Sequence, residues 1–295
     1  MPLDVTSIPR PILITGKTGQ LGKAFKQYID AIFVGRDEVN FESEIYDMLN
    51  KYMPKTIINC ASYTNVDGAE SEKEKCMQIN YNAVEEIAAW AANNDSIFVN
   101  YSTDYVYDGE SCFTKETEQE APLNNYGISK FLGDAATKVV EKHLIFRTSW
   151  VYNESGKNFP NTITKLAKSG NPLKIINDQM GAPTYASDLA KASLIAINKA
   201  CRMDEFPAGI YHLCSKGFTS WYDFARFVVA KLYIDVKVEP TTTESYNAAM
   251  MQFHGIKDFA NRPLNSMLSM EKFESTFNIE MPHWQDAISR CIENK

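Results

Sequence analysis

The chain lacks most of the marks of a metal, disulfide or membrane protein. Its six cysteines (Cys60, Cys76, Cys112, Cys201, Cys214, Cys291) are scattered over 295 residues with no CxxC pair. They read as buried thiols in a reducing compartment, not a disulfide frame. Four histidines (His143, His212, His254, His283) lie far apart, without metal-ligand spacing. No apolar run reaches membrane-spanning length. The segment Met1 to Arg10 carries Asp4 and two prolines and reads as a short arm, neither signal peptide nor anchor. There is no repeat and no low-complexity tract. A net charge of -7, with both signs interspersed, argues against a nucleic-acid surface and leaves room for a local basic pocket for phosphates. No GxSxG elbow supports a serine hydrolase. Lys17 is not part of a GKS or GKT ending, which excludes a P-loop. These absences leave a soluble cytoplasmic protein acting on small molecules, with no nucleic-acid and no membrane partner.

What is present is a core-forming composition, 44% hydrophobic, arranged as short apolar runs between helical stretches. Strands are expected at Pro11–Thr15, Ala31–Val34, Thr56–Cys60, Ser96–Tyr101 and Leu144–Thr148. Helices are expected at Gln20–Ile29, Ile45–Tyr52, Ala69–Asn93 and Tyr126–Lys142. Apolar strands alternating with helices predict an α/β fold, a doubly wound parallel (Rossmann) sheet covered on both faces. Residues 151–295 are less regular, with helices expected at Asn161–Lys168, Ser187–Asn198 and Ser220–Leu232. After Thr241 the text is polar and turn-rich until Met270–Thr276. The expected division is a dinucleotide-binding domain over 1–150 and a smaller substrate-binding lobe over 151–295. Segments near 187–213 are expected to return to the main sheet.

The first strand ends in Gly16-Lys17-Thr18-Gly19-Gln20-Leu21-Gly22, a GxxGxxG turn that opens a helix. Glycines there permit a tight turn, close backbone approach to a pyrophosphate and tight helix–strand packing; the helix N-terminus adds N–H donors. The alternative is a purely structural turn. At the end of the second strand an acid would bind the ribose 2′-hydroxyl of NAD, whereas a base would hold the 2′-phosphate of NADP. Gly35 stands where the acid belongs, and Arg36 follows. This points to NADPH, or to use of both NADPH and NADH; the alternative makes Arg36 an ordinary surface charge. Asn40 and Phe41 are placed to flank an adenine, and Ser62-Tyr63-Thr64, after the third strand, to run along the nicotinamide side.

Tyr126 and Lys130 lie four residues apart, on one face of a helix. An ammonium beside a phenol draws its pKa down, and a tyrosine so tuned can pass a proton to or from a carbonyl oxygen. Thr103, at the end of the fourth strand, offers a hydroxyl to the same oxygen. A lone YxxxK is a weak signal, but the glycine turn, the strand-end Ser102-Thr103 and YxxxK in this order are specific together.

These residues resemble the extended short-chain dehydrogenase/reductases, and within them the dTDP-4-dehydrorhamnose reductases. The resemblance spans both halves: Val66-Asp67-Gly68-Ala69-Glu70, Tyr101-Ser102-Thr103-Asp104-Tyr105-Val106-Tyr107, Pro122-Leu123-Asn124-Asn125-Tyr126-Gly127, Arg147-Thr148-Ser149-Trp150-Val151-Tyr152, Asn177-Asp178-Gln179-Met180-Gly181-Ala182-Pro183-Thr184 and Arg262-Pro263-Leu264-Asn265-Ser266. It implies reduction of the C4 ketone of dTDP-4-dehydro-L-rhamnose by NADPH or NADH. It implies Tyr126 as proton donor with Lys130 and Thr103 as partners. Cofactor contacts are implied at Gly19, Gln20, Leu21, Asn40, Phe41, Ser62, Tyr63, Thr64 and Tyr101, and sugar-nucleotide contacts at Thr103, Asp104 and Trp150. Some members form homodimers with a bound magnesium ion, whose ligands these motifs do not place. From the residues themselves, Trp150 packs on a sugar or base or is a core tryptophan. Arg262 clamps a diphosphate or is a solvated surface charge; Asp104 bonds a sugar hydroxyl or caps a turn. Two rival functions remain at this level. One is a non-catalytic NADP-binding regulatory subunit resembling that of methionine adenosyltransferase. The other is a reductase of a different dTDP-4-keto-6-deoxyhexose.

Overall fold

The computed structural model describes residues 3–41, 44–254 and 259–294. Five strands form most of the main sheet: β1 (Ile12–Ile14), β2 (Ile32–Phe33), β3 (Thr56–Asn59), β4 (Ile97–Thr103) and β5 (His143–Thr148). All residues of β1, β3 and β4 are buried, because helices cover both faces of a parallel sheet. The strand Gly209–His212 adds to β5 in parallel, so the order runs Gly209–His212, β5, β4, β3, β1, β2. Chain direction across the sheet reverses between β1 and β3, and this switch point is where such folds bind ligands. Buried polar bonds tie the strands to one another and to a covering helix: Thr15 Oγ1 donates to Asn59 Oδ1 at 2.6 Å, Asn59 Nδ2 to Asn100 Oδ1 at 3.0 Å, and Asn100 Nδ2 to the helical Thr137 Oγ1 at 3.1 Å.

The helices of the first half are α1 (Gln20–Phe25), α2 (Ile45–Tyr52), α3 (Gly68–Ser71), α4 (Lys73–Met77), α5 (Ala83–Asn93) and α6 (Asn125–Thr137). The single helix expected over Ala69–Asn93 is therefore broken. A π-helical turn, Gln78–Asn82, separates α4 from α5. Such turns are rare and gather at functional sites; here the side chain of Asn80 explains it, as described below. α6 also stops earlier than expected, at Thr137, whose hydroxyl bonds back to the Gly133 carbonyl at 2.8 Å.

One core face is formed by Ile12, Ile14, Phe25, Val99, Leu144 and Phe146 against the helix Ala186–Ala200 and Phe273 and Phe277. The other face joins Leu13, Ile57 and Phe98 to α2 and α5. A third cluster, with Tyr152, Ile163, Tyr185, Phe224, Val228, Trp284 and Ile288, holds the lobe. The lobe's sheets are small: Thr219–Ser220, Met180–Gly181 and Asn265–Ser266 form one, and Val238–Thr241 pairs with Leu173–Ile176 in another. The stretch after Thr241, read as turn-rich, contains a helix, Thr243–His254. None of Thr243–Phe253 is buried, so no apolar periodicity marked it. Instead the Asp178 carboxylate accepts the Thr243 N–H at 2.9 Å, holding the helix start from outside. Among the described residues no helix is long and apolar enough to cross a membrane.

Candidate active site

The glycine turn sits at the switch point. Gly16 has φ +70°, and a Cβ there would lie 2.5 Å from the Cys60 carbonyl oxygen. A Cβ on Gly22 would lie 2.2 Å from the Gly16 oxygen. Both positions therefore exclude a side chain. Gly19 N-caps α1, and among the described residues no side chain caps that end. Its first-turn N–H groups are thus available to an anion, which suits a pyrophosphate. Gln20 turns the other way: its Oε1 accepts from Asn158 Nδ2 at 3.0 Å and its Nε2 donates to the Val151 carbonyl at 3.3 Å. It ties the turn to the lobe. Leu21 packs partly buried against the core.

At the end of β2 the acid missing at Gly35 reappears two residues later. Lys17 pairs with Asp37 at 2.7 Å and with Glu38, and the Gly35 N–H donates to Glu38 Oε2 at 2.9 Å. The two carboxylates are committed to the glycine loop, while Arg36 is exposed and has no ion pair among the described residues. Asn40 is exposed, with its N–H bonded to Glu44. Phe41 departs from the expected adenine contact: it is 8% exposed and packs with Val34, Val39 and Ile45. Being apolar, it is worth more in the core than on a solvated ring face.

After β3, Ser62 and Tyr63 are held by one residue. Asn80 Oδ1 accepts from Ser62 Oγ and from the Tyr63 N–H, both at 2.9 Å. Its amide donates to the Tyr63 carbonyl and to Ser129 Oγ, both at 3.0 Å. A Cβ on Gly133 of α6 would lie 2.4 Å from the Asn80 carbonyl. The π turn thus presents a buried asparagine that locks the β3 loop to α6. No reading of the sequence singled it out, although an asparagine amid an amphipathic helical stretch is a visible anomaly. Thr64 is exposed beside this loop.

α6 begins at Asn124, whose Oδ1 caps the Gly127 N–H at 2.8 Å. This start aims Tyr126 toward the end of β4. Tyr126 packs edge-on to Tyr105, with ring centroids 5.8 Å apart. Burial pushes its phenol above the usual tyrosine range, Thr103 opposes this, and Asp104 adds to it. The expected downward pull by Lys130 is absent, because Lys130 Nζ bonds the Tyr101 carbonyl instead. Burial pulls the Lys130 ammonium down to about 8. Tyr101 also differs from expectation. Its ring lies in the core against Phe25 and Phe146, and its hydroxyl donates to Ser193 at 2.6 Å. It offers the site its carbonyl, not its side chain.

Thr103 and Asp104 are 5% and 4% exposed. Thr103 Oγ1 donates to Asp104 Oδ1 at 2.9 Å and accepts the Tyr105 N–H at 3.2 Å. Asp104 Oδ2 has no hydrogen-bond partner among the described residues. Burial pushes this carboxyl up to about 6, with Ser266 and Thr103 holding it back. Trp150 leaves the sheet at φ +48° and stacks on Trp221, with centroids 3.5 Å apart and planes 9° from parallel. Gly181 leaves it room, since a Cβ there would lie 2.6 Å from the indole. Gln179 Oε1 accepts the Trp221 indole N–H at 3.2 Å. The Asp178-Gln179-Met180-Gly181 run therefore builds a tryptophan platform, a role its sequence did not disclose. Arg262 faces Asp67, with Nη2 donating to Oδ2 at 2.8 Å. In this arrangement a carboxylate holds the guanidinium, which also acts on the Tyr105 phenol. Among the described residues no group of three or more His, Cys, Asp or Glu side chains is arranged to hold a metal ion.

A parallel sheet with a glycine turn at its switch point, and a tyrosine, lysine and threonine at the strand end beside it, defines a short-chain dehydrogenase/reductase: a nicotinamide-dependent oxidoreductase. Comparison with known proteins narrows the class. The RmlD substrate binding domain family matches residues 10–295. The dTDP-4-dehydrorhamnose reductase of Burkholderia thailandensis is 35% identical over 96% of this chain and 98% of that protein. That of Escherichia coli K12 is 37% identical over 95% of this chain and 96% of that protein. The crystal structure of dTDP-4-dehydrorhamnose reductase from Bacillus anthracis, in complex with NADP, superposes with a TM-score of 0.86 at 30% identity, covering 96% of this chain and 99% of that one. The chain belongs to the dTDP-4-dehydrorhamnose reductase family.

Proposed function

We propose that this chain reduces the C4 ketone of dTDP-4-dehydro-L-rhamnose to dTDP-L-rhamnose with NADPH. The observation that carries the reading is the convergence of Thr103, Tyr126 and Lys130 at the end of β4, across from the glycine turn, in a chain of this family. The uncapped first turn of α1, with Gly16, Gly19 and Gly22, would hold the pyrophosphate. Ser62, Tyr63 and Lys130 would line the nicotinamide ribose, with Arg36 at the 2′-phosphate. When bound, NADPH supplies the hydride for the C4 carbon.

The chain's own residues manage the oxygen. Tyr126 is neutral at pH 7 and donates its phenolic proton to the C4 oxygen as the ketone is reduced. Thr103 bonds the same oxygen and favours its developing charge. Lys130 compensates the phenolate left behind, and solvent restores the proton. Asp104 Oδ2, which has no partner among the described residues, accepts from a sugar hydroxyl. Trp150 offers a flat face to the sugar, held in place by Trp221.

The test is NADPH consumption with dTDP-4-dehydro-L-rhamnose and NMR identification of the product. Turnover to dTDP-L-rhamnose supports the reading. Turnover to the C4 epimer moves the sugar assignment, and cofactor binding without turnover replaces the enzyme reading with the regulatory one. The same proposal places the protein in the cytoplasm, which suits six free thiols, and makes it a homodimer, to be read by sedimentation.

A further inference from the structure

We propose that Asp134 is the counter-ion that keeps the Lys130 ammonium charged, a positioning residue one helical turn behind the catalytic pair. This rests on the role given above to Lys130. Tyr126, Lys130 and Asp134 follow one another at four-residue steps along α6, so they share the helix face turned to the sheet. Lys130 is 4% exposed and Asp134 1%. A buried ammonium loses its proton unless an anion stands near.

The groups around Lys130 supply one such anion. Besides Asp134, the titratable groups acting on it are Cys76 of α4 and Cys60 just after β3. Burial pushes both thiols up, so they are neutral near pH 7. Lys130's hydrogen bond to the Tyr101 carbonyl carries no full charge. From its other side Asp134 meets a guanidinium that favours its ionised form against burial. Arg147, fully buried, donates Nε to Asp134 Oδ2 at 3.0 Å. Its fork is completed by Glu120 at 2.7 Å and the Tyr107 hydroxyl at 2.5 Å. Burial, the largest influence, raises the Asp134 carboxyl above its ordinary value, while Arg147, Ser102 and Lys130 oppose it. Asp134 Oδ1 is left without a hydrogen-bond partner among the described residues. The sheet register fixes the arrangement: Ser102 pairs with Arg147 across β4 and β5, one residue from the carbonyl that holds Lys130. With Asp134 ionised, as the proposal requires, the two buried cations face Asp134 and the partly exposed Glu120. Removing Asp134 leaves Lys130 and Arg147 with Glu120 alone.

The experiment compares wild type with Asp134→Asn, Asp134→Ser and Asp134→Glu in two readouts. One is the pH profile of kcat/KM; the other is the Lys130 titration followed by 15N-lysine NMR on the whole protein. Asn and Ser are expected to lower the alkaline limb and the Lys130 titration together by about one pH unit or more, a loss of roughly fivefold or greater at pH 8 with much smaller loss at pH 6. Glu is expected to restore most of both. A folded Asn or Ser variant in which Lys130 titrates as in wild type overturns the proposal, even if activity falls uniformly. If neither variant folds, 13C-carboxyl NMR of wild type decides: Asp134 ionised at pH 7 supports the counter-ion role, and Asp134 protonated at pH 7 overturns it. If wild type fails to turn over the keto-sugar, the functional reading fails, while the NMR titrations still judge Asp134.

Discussion

Two buried carboxylates, Asp134 on α6 and Asp104 just after β4, live in opposite surroundings. Behind α6, Asp134 meets a guanidinium whose Nε, Nη1 and Nη2 are each bonded, in a network running through Arg147, Glu120, Tyr107 and His212. At the end of β4, Asp104 has hydroxyls for neighbours and one oxygen with no partner among the described residues. Both sites bury charge. The first is closed by ion pairing, so its cost is offset within the fold. Each carboxylate leaves one oxygen without a partner among the described residues, but the second has no cation among them acting on it, and a buried charge without a counter-charge is costly unless a ligand satisfies it. The contrast teaches how to separate scaffold from site: a buried carboxylate matched by a cation marks structure, and one left without a counter-charge marks a place for substrate.

The largest test of this contrast is on the open side. Tyr126→Phe is expected to lower kcat by about 10²–10⁴-fold while the urea midpoint and NADPH binding stay near wild type; near-normal turnover would remove Tyr126 from the mechanism. On the closed side, Arg147→Met is expected to do the reverse. It strands Asp134 and Glu120, and unfolding in urea should show a loss of about 3–5 kcal/mol. A loss below about 1 kcal/mol would show that the network does not depend on Arg147.

Asp104→Asn sharpens the comparison by pH. A carboxyl raised from 3.8 to about 6 in the fold favours the native state fully below pH 3.8, relative to its ionised form. That favour is lost as pH rises through 6, where the charge must stay buried. The variant should therefore unfold like wild type near pH 4 and be more stable at pH 7.5, by up to about 3 kcal/mol, while binding substrate less well. Equal stability of both proteins at pH 7.5 would mean that solvent or another group satisfies Asp104. The smallest effect is expected at the edge of the cofactor crevice. Arg36→Ala should weaken NADPH by about two- to fivefold, the scale of an exposed charge contact, and leave NADH unchanged. Equal losses would show that Arg36 does not meet the 2′-phosphate.

Much of this was legible from residues alone. Short apolar runs marked β1, β3 and β4, the first ending in glycine and the last in Ser-Thr, because a strand buried on both faces must be continuously apolar. Tyr126 and Lys130 were visible because helical spacing is local. Asn80 was not, since its partners Ser62, Tyr63 and Ser129 are 17–49 residues away in the chain. The helix Thr243–His254 was not, since it buries no face and is held by Asp178, 65 residues earlier. Phe41 and Tyr101 went to the core instead of the crevice, because alternation tells that a side chain leaves the backbone but not which surface receives it.

The sequence by itself determined the class of sheet, the glycine turn at its first junction, and the order in which threonine, tyrosine and lysine arrive. These follow from local rules: period, spacing and the steric freedom of glycine. The tertiary structure alone decided which charges are closed and which are left open. Whether Asp134 meets Arg147 from β5, or Asp104 is left without a cation beside Ser266, depends on strand register and on how the lobe folds over the sheet. Those are long-range contacts, and no window of sequence contains both partners.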